Sequence, residues 1–249
     1  ILQWGTLPRC YLSTSKQFRT AYLNTYTERY LEEEIQRESE IRNLAGFARF
    51  LELAAHENGK LTNYSKISKA VSLHPSTVKE YFQILSDTLI ATQVPAWSAA
   101  IRTQLQKSPK YYFFDNGVLN ALTGHLQSEL RPQTYRYGSL FENTVVNEII
   151  RKIRRRRHGL KIYHYRDVNQ QEIDLVLQKN SFSLPIAIEI KSSGQPELKA
   201  RHVIRRFAEL SGGGKALVIA NIDKAFHKAG LDFYPMLQGV EHAIELALR

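Results

Sequence analysis

The chain has 249 residues, a formal net charge of +10 from 34 Lys and Arg against 24 Asp and Glu, and 43% hydrophobic residues. That length holds one large domain or two small ones, and the composition is that of an ordinary globular protein. No stretch approaches the roughly 20 apolar residues of a membrane-spanning helix, and the single cysteine, Cys10, excludes an internal disulfide and a cysteine zinc site.

Taken in chain order, the first residue is Ile rather than Met, which reads as a fragment or a processed chain, and no basic-then-apolar leader follows it. A lone cysteine suits a reducing, cytoplasmic setting. Residues 15–53 carry a helical pattern, with Tyr22, Tyr26 and Tyr30 and later Leu44, Phe47, Phe50 and Leu51 at helical spacing. Its middle, "TERYLEEEIQRESE" (Thr27 to Glu40), is acidic and unsuited to face phosphates. Asn58-Gly59 ends the pattern.

Leu61 to Ile90 reads as a short helix over about 64–70, a tight "VSLHPS" link, and a second helix opened by Pro75 in its first turn. Val78, Phe82 and Leu85 form its buried stripe, which leaves Ser76, Thr77, Lys79, Glu80 and Gln83 outward. Helix, turn, helix with a polar outer face is the helix-turn-helix pattern. The segments "LIATQVPAW" and "KYYFFD" supply two strands, enough for a winged version. Two roles stand for it: reading DNA through Thr77, Lys79 and Gln83, or packing between domains.

From Arg131 the pattern changes. "YGSLFENTVVNEIIRKIRRRR" (Tyr137 to Arg157) is one long helix with Leu140, Val145, Ile149 and Ile153 inside. Strands follow over "KIYHYRD", "EIDLVLQ" and "PIAIEIKS", then a helix over "PELKARHVIRRFAEL", a strand "KALVIA" and a terminal helix, an α/β order. The run Arg151 to Arg157 holds six basic residues in seven. Basic residues at a helix C-terminus complement the dipole, each contributing about 0.3–1 kcal/mol. Six exceed that need, so Arg154, Arg155, Arg156 and Arg157 are expected to face phosphates, with Arg201, Arg205 and Arg206 extending the surface.

Strict alternation along Glu172 to Gln178 puts Ile173, Leu175 and Leu177 on one face and Glu172, Asp174 and Val176 on the other. In the next strand Ala187, Glu189 and Lys191 oppose Ile186, Ile188 and Ile190. Asp174, fourteen residues, then Glu189-Ile190-Lys191 place two carboxylates and an ammonium at neighbouring strand ends. Two carboxylates can hold Mg²⁺ together with waters and a phosphate oxygen. The ion would acidify water for attack on a phosphodiester, and Lys191 would stabilise developing charge. A structural ion-pair network is the plainer account of the same residues. Glu172 and Arg166 are accessory candidates, as a further acid and a phosphate contact, or else as solvated edge charge and a cap. Tyr165 is read as a core residue.

This pattern resembles the PD-(D/E)xK nuclease superfamily, with Ile173 where the proline of that name would stand. The resemblance implies an α-β-β-β-α-β core, and an acid on its first helix that joins the metal site, which here is Glu142 in "GSLFENTVVNE". Over nearly the whole chain, "WGTLPRCYLS", "YFFDNGVLNALTG", "YGSLFENTVVNEI", "EIDLVL" and "AIEIKSS" resemble the C-terminal half of a family of prokaryotic AAA-superfamily ATPases. That likeness implies a winged helix, then a nuclease-like domain, and an upstream ATPase core in cis. No phosphate-binding G-x4-G-K-[ST] loop lies in this chain, since in "SGGGKA" Glu209 and Ala216 stand where Gly and Ser or Thr belong. ATP is therefore expected only in that upstream part.

The expected fold is mixed: an all-α and winged-helix N-terminal module, then an α/β restriction-endonuclease-like domain. Its divisions are a helical lid region over 1–60, a winged helix-turn-helix over 61–130 and the nuclease-like domain over 131–249. The expected function is Mg²⁺- or Mn²⁺-dependent hydrolysis of DNA, with Glu142, Asp174 and Glu189 as metal ligands and Lys191 as catalytic cation. The rival is a non-catalytic DNA- or protein-binding arm regulating the ATPase. No membrane partner is expected, and an oligomer is compatible with the pattern.

Overall fold

The computed structural model describes residues 1–30, 33, 41, 43–98, 107–156, 159–194 and 201–249. Most of the acidic stretch within Thr27 to Glu40 and all of Arg157 lie outside them, and so do the side chains of Arg201 and His202. The chain divides into two units, residues 1–93 with 110–130, and residues 94–109 with 131–249. The described residues form a mixed α/β fold with two sheets.

The first unit is largely helical. It runs α1 (Pro8–Leu12), α2 (Lys16–Thr25) continued by a π-helical turn at Tyr26–Tyr30, α3 (Leu44–His56), α4 (Tyr64–Val71), α5 (Pro75–Asp87), the strand pair β1 (Ala91–Val94) and β2 (Lys110–Phe113), then α6 (Asn116–Leu122). Local chemistry sets these limits. Side chains of Ser15, Asn43 and Asn63 accept from Phe18, Gly46 and Lys66 backbone N–H groups, satisfying donors that a helix start leaves open. Ser72 takes the left-handed conformation at φ 55° and turns the chain sharply between α4 and α5. His74 and Pro75 then open α5.

Phe47, Phe50, Tyr81 and Phe82 interlock across α3 and α5, with Phe50 and Phe82 edge to face at 4.8 Å. Helices α3 and α5 thus share a core within the first unit. The buried arc of α5 also holds Tyr81, a turn beyond Thr77, so Thr77 is half-buried rather than outward. At α6 the buried Asp115 carboxylate accepts four bonds, from the N–H groups of Gly117, Val118 and Thr6 and from the Thr6 hydroxyl. That ties the first residues of the chain to this helix, and "WGT" and "DNG" are two halves of one structural latch.

The second unit contains α7 (Tyr135–Arg156), β3 (Lys161–Arg166), β4 (Glu172–Gln178), β5 (Ile186–Lys191), α8 (Arg201–Leu210), β6 (Lys215–Ala220), β7 (Phe226–Lys228), β8 (Leu231–Pro235) and α9 (Met236–Leu248). Its sheet has the order β3-β4-β5-β6-β8-β7. The β3–β4 and β4–β5 pairs are antiparallel hairpins, β5–β6 and β6–β8 are parallel, and β7–β8 closes one edge. At the other edge Ala96 bridges His164, and the Trp97 N–H donates to the His164 carbonyl at 2.6 Å. Three strands then a helix and a strand were legible. The hairpin β7–β8 was not, although Ala229 and Gly230 both take positive φ and make the tight turn such hairpins need.

A core of Trp97, Tyr165, Ile173, Val176, Ala187, Val203, Ile204 and Phe207 binds α8 to the sheet. Its membership exposes a departure from strict alternation. Tyr163 pairs with Val176 and Tyr165 with Ile173, so two residues of β4, Asp174 and Leu175, stand opposite the single residue His164. This is a bulge in β4, which reverses the facing of the strand. Ile173 therefore packs with Val176, and not on the face of Leu175 and Leu177 as period two requires.

Candidate functional site

The bulge falls on the acid that the sequence singles out. The β4–β5 ladder pairs Leu177 with Ile186, Val176 with Ala187 and Leu175 with Ile188, and ends there. On its other side β5 stays paired with β6 as far as Lys191 and Ala220. Just where β4 leaves, the Ile190 N–H donates to Asp174 Oδ2 at 2.7 Å. A side-chain carboxylate thus takes the place of the next ladder carbonyl, and Asp174 is set in the fork between the strands. Its other oxygen is left for other work.

Glu189, on β5, is buried, with a side chain 5% exposed. Its Oε1 accepts from Lys191 Nζ at 2.5 Å, while Oε2 has no hydrogen-bond partner among the described residues. An unsatisfied buried carboxylate oxygen is costly. Burial first, and then the negative charge of Asp174, push the Glu189 carboxyl up to about 8; Lys191 pulls it down and Glu142 adds to the rise. Lys191 feels the same groups. Burial lowers its ammonium, yet Glu189, Asp174 and Glu142 more than offset that and hold it above the ordinary lysine value. Three carboxyls and one ammonium share this neighbourhood. One positive charge does not balance three negative ones, so the most buried acid keeps a proton.

Glu142 reaches the site from α7. One turn earlier on the same face is Gly138, where an added Cβ would stand 3.4 Å from Ser192 Oγ. Helix α7 therefore lies against the end of β5, which carries Glu142 toward Lys191 and Glu189. Among the described residues no group of three or more His, Cys, Asp and Glu side chains is drawn together as a ready metal cage. Magnesium needs fewer protein ligands than that, since it keeps several waters and takes one or two carboxylates. Hard oxygen donors, an unpartnered buried Oε2 and an excess of negative charge fit such an ion. Asp174 and Glu189 would hold it together with waters, with Glu142 near enough to be felt by both Glu189 and Lys191.

The other predicted residues divide. Arg166 and Glu172 face each other across β3 and β4 as an ion pair, with Nε and Oε1 3.4 Å apart, and Arg166 also donates to Gln170 Oε1 at 3.0 Å. Lys79 is exposed on α5, its ammonium 5.5 Å from the Tyr64 ring centre. Gln83 is exposed and donates to Asp87 at 2.8 Å. At the end of α7, Arg154, Arg155 and Arg156 are exposed. Arg156 is paired with Glu241 of α9 at 3.1 Å, and Lys152 binds the same carboxylate. Arg206 pairs with Asp167 at 3.5 Å. Part of the basic run is therefore structural, joining α7 to α9.

Two residues at the mouth of the site escaped sequence reasoning. Asn221, directly after β6, donates its backbone N–H to the Lys191 carbonyl at 3.0 Å and its side-chain amide to Tyr137 Oη at 3.2 Å. A polar residue just beyond the C-terminal end of a parallel strand was the available signal, because crevices of open α/β sheets lie there.

A mixed α/β chain with a carboxylate–lysine site at the parting of two strands is the class that these features define. Residues 1–129, just over half of the chain, match the family described as "Domain of unknown function (DUF8612)", and the chain belongs to that family. Residues 137–238, which include the whole carboxylate site, match a second family model, "Domain of unknown function (DUF4143)". Among curated proteins the chain is similar to the uncharacterized protein Mb2031c of Mycobacterium bovis and the uncharacterized protein Rv2008c of Mycobacterium tuberculosis. Each is 24% identical over 197 residues, covering 78% of this chain and 43% of the relative. The chain thus spans less than half the length of these curated relatives. No solved structure matches it.

Proposed function

We propose that the second unit is a Mg²⁺- or Mn²⁺-dependent phosphodiester hydrolase of the PD-(D/E)xK kind acting on DNA. The observation that carries this reading is the Glu189 carboxylate, buried with one oxygen unpartnered and sharing its surroundings with Asp174, Glu142 and Lys191. A bound divalent ion would supply Lewis acidity and water ionised near neutral pH. Asp174, fixed through Oδ2 by the Ile190 N–H, presents its second oxygen without rearrangement of the backbone. With such an ion bound, Glu189 would stand as its carboxylate, its proton lost to solvent, and Lys191 would be free to donate to the phosphate oxygen on which charge develops. The first unit, with α4, the Ser72 turn, α5 and the β1–β2 pair, is proposed as a winged helix-turn-helix that meets DNA through Lys79 and Gln83. An ATPase core in cis, upstream, belongs to the same proposal.

A second reading has its own support. Lys191 already closes on Glu189 at 2.5 Å, as in a structural network, which suits a non-catalytic DNA- or protein-binding arm. Incubation of the chain with duplex, branched and single-stranded DNA and Mg²⁺ or Mn²⁺ separates the two. Cleavage lost in Asp174→Asn supports the hydrolase. Neither metal binding nor cleavage at millimolar ion leaves the binding arm as the function.

A further inference from the structure

We propose that Tyr137 is a positioning residue for the DNA strand, donating its phenolic proton to a non-bridging phosphate oxygen beside the carboxylate site. This rests on the hydrolase reading above and names a contact that reading did not contain. The argument begins with the two bonds of Asn221. Its backbone N–H is held by the Lys191 carbonyl, so the residue is anchored to the strand that bears Glu189 and Lys191. Its side-chain amide donates to Tyr137 Oη at 3.2 Å.

A phenol that accepts one bond still has its own proton to give. Among the described residues nothing accepts that proton, and Tyr137 is only half-buried while Asn221 is exposed. Asn221 therefore holds the oxygen and leaves the O–H to donate elsewhere at the mouth of the site. The backbone is fixed as well, since the Tyr137 N–H donates to Thr134 Oγ1 at 3.3 Å at the start of α7. Gly138, the next residue, lies against Ser192 just past Lys191. Tyr137 is thus tied to the same strand end as the catalytic candidates, its hydroxyl through Asn221 and its backbone through the neighbouring Gly138. A donor poised without an acceptor, at the rim of a site proposed to take a phosphodiester, matches an anionic phosphate oxygen.

The test is a thermodynamic cycle. Wild type and Tyr137→Phe are titrated by fluorescence anisotropy, in Ca²⁺ to prevent turnover, with DNA carrying one methylphosphonate at successive positions. Each methylphosphonate replaces an anionic oxygen with a methyl group. At one position the substitution should weaken wild-type binding about 10- to 100-fold, the range of a hydrogen bond to a charged group. At that position it should cost Tyr137→Phe nothing more, with Mn²⁺ affinity and melting temperature unchanged by the variant. Asn221→Ala, which frees the hydroxyl to rotate, should lose part of the same factor. Additive losses at every position, or wild-type affinity in Tyr137→Phe, would overturn the assignment while leaving the hydrolase reading standing. A variant weakened equally on all substrates together with a lowered melting temperature would mark Tyr137 as structural. If wild type neither binds nor cleaves any of these DNAs, the hydrolase reading fails and this contact fails with it.

Discussion

Asp174 and Lys191 stand side by side yet should fail differently. Asp174→Asn keeps an oxygen to accept the Ile190 N–H, so the fold should persist while Mn²⁺ affinity and cleavage fall together. Lys191→Ala should keep the ion and lose rate, by about 10²–10³, as when a donor to developing charge is removed. Isothermal titration with Mn²⁺ alongside a cleavage assay reads both. Glu189 carries a pH signature. Its folded-state carboxyl is raised to about 8, so between the ordinary carboxylate range and that pH the unfolded chain has released a proton that the folded one keeps. Metal-free stability should fall as pH rises through that window, and Glu189→Gln should flatten the fall in a pH series of thermal melts. Metal must displace the same proton, so Mn²⁺ affinity should climb with pH until about 8 and then level. Affinity independent of pH from 6 to about 8 would remove Glu189 from the ligand set.

Among the elements, α7 does two jobs that its sequence spells out unequally. Its basic end looked like one phosphate-facing surface, but Lys152 and Arg156 belong in part to Glu241. Charge counts along a single helix cannot reveal a partner 85 to 89 residues away. Arg154→Gln with Arg155→Gln should reduce the slope of DNA affinity against salt, since fewer counterions are released. Glu241→Gln should leave that slope alone and lower the melting temperature. Equal slopes in both variants would return the whole run to a structural role. Strand β4 teaches a similar lesson. The sequence places its acid among apolar residues, and Asp174, Glu189 and Lys191 do come together with Glu142. What alternation could not express is the extra residue opposite His164, because a bulge depends on the neighbouring strand and leaves no mark in period two. The pairing of Asn221 with Tyr137 joins positions too far apart for any local pattern.

Across the molecule, the coarse plan was readable: helices and a small strand pair first, an α/β sheet after, with helix limits marked by Ser15, Asn43, Asn63 and Pro75. One thing was not. Residues 94–97 close a segment read as a wing strand of the 61–130 division, yet residues 94–98 dock on the second unit, where Trp97 packs 4.9 Å from Phe207 and donates to Gln178. Their commitment comes from partners on β3, β4 and α8. Trp97→Ala should accordingly destabilise the second unit by about 3–5 kcal/mol, the usual loss for a large buried aromatic side chain. Urea denaturation followed at the α/β unit checks it, and a loss below about 1 kcal/mol would mean that this segment is not part of that core.

The doubled residue opposite His164 has a further consequence for how this protein can change. Deleting Asp174 would bring Ile173, Leu175 and Val176 into regular in-out succession against Tyr165, His164 and Tyr163, with no other core side chain moved from its place. A smooth strand is thus one codon away, and it is the version without the acid. Mutational drift toward an easier sheet and drift toward an inert site run along the same path here. Relatives without the proposed hydrolysis should then be recognisable by a β4 shorter by one residue, with its apolar residues otherwise intact.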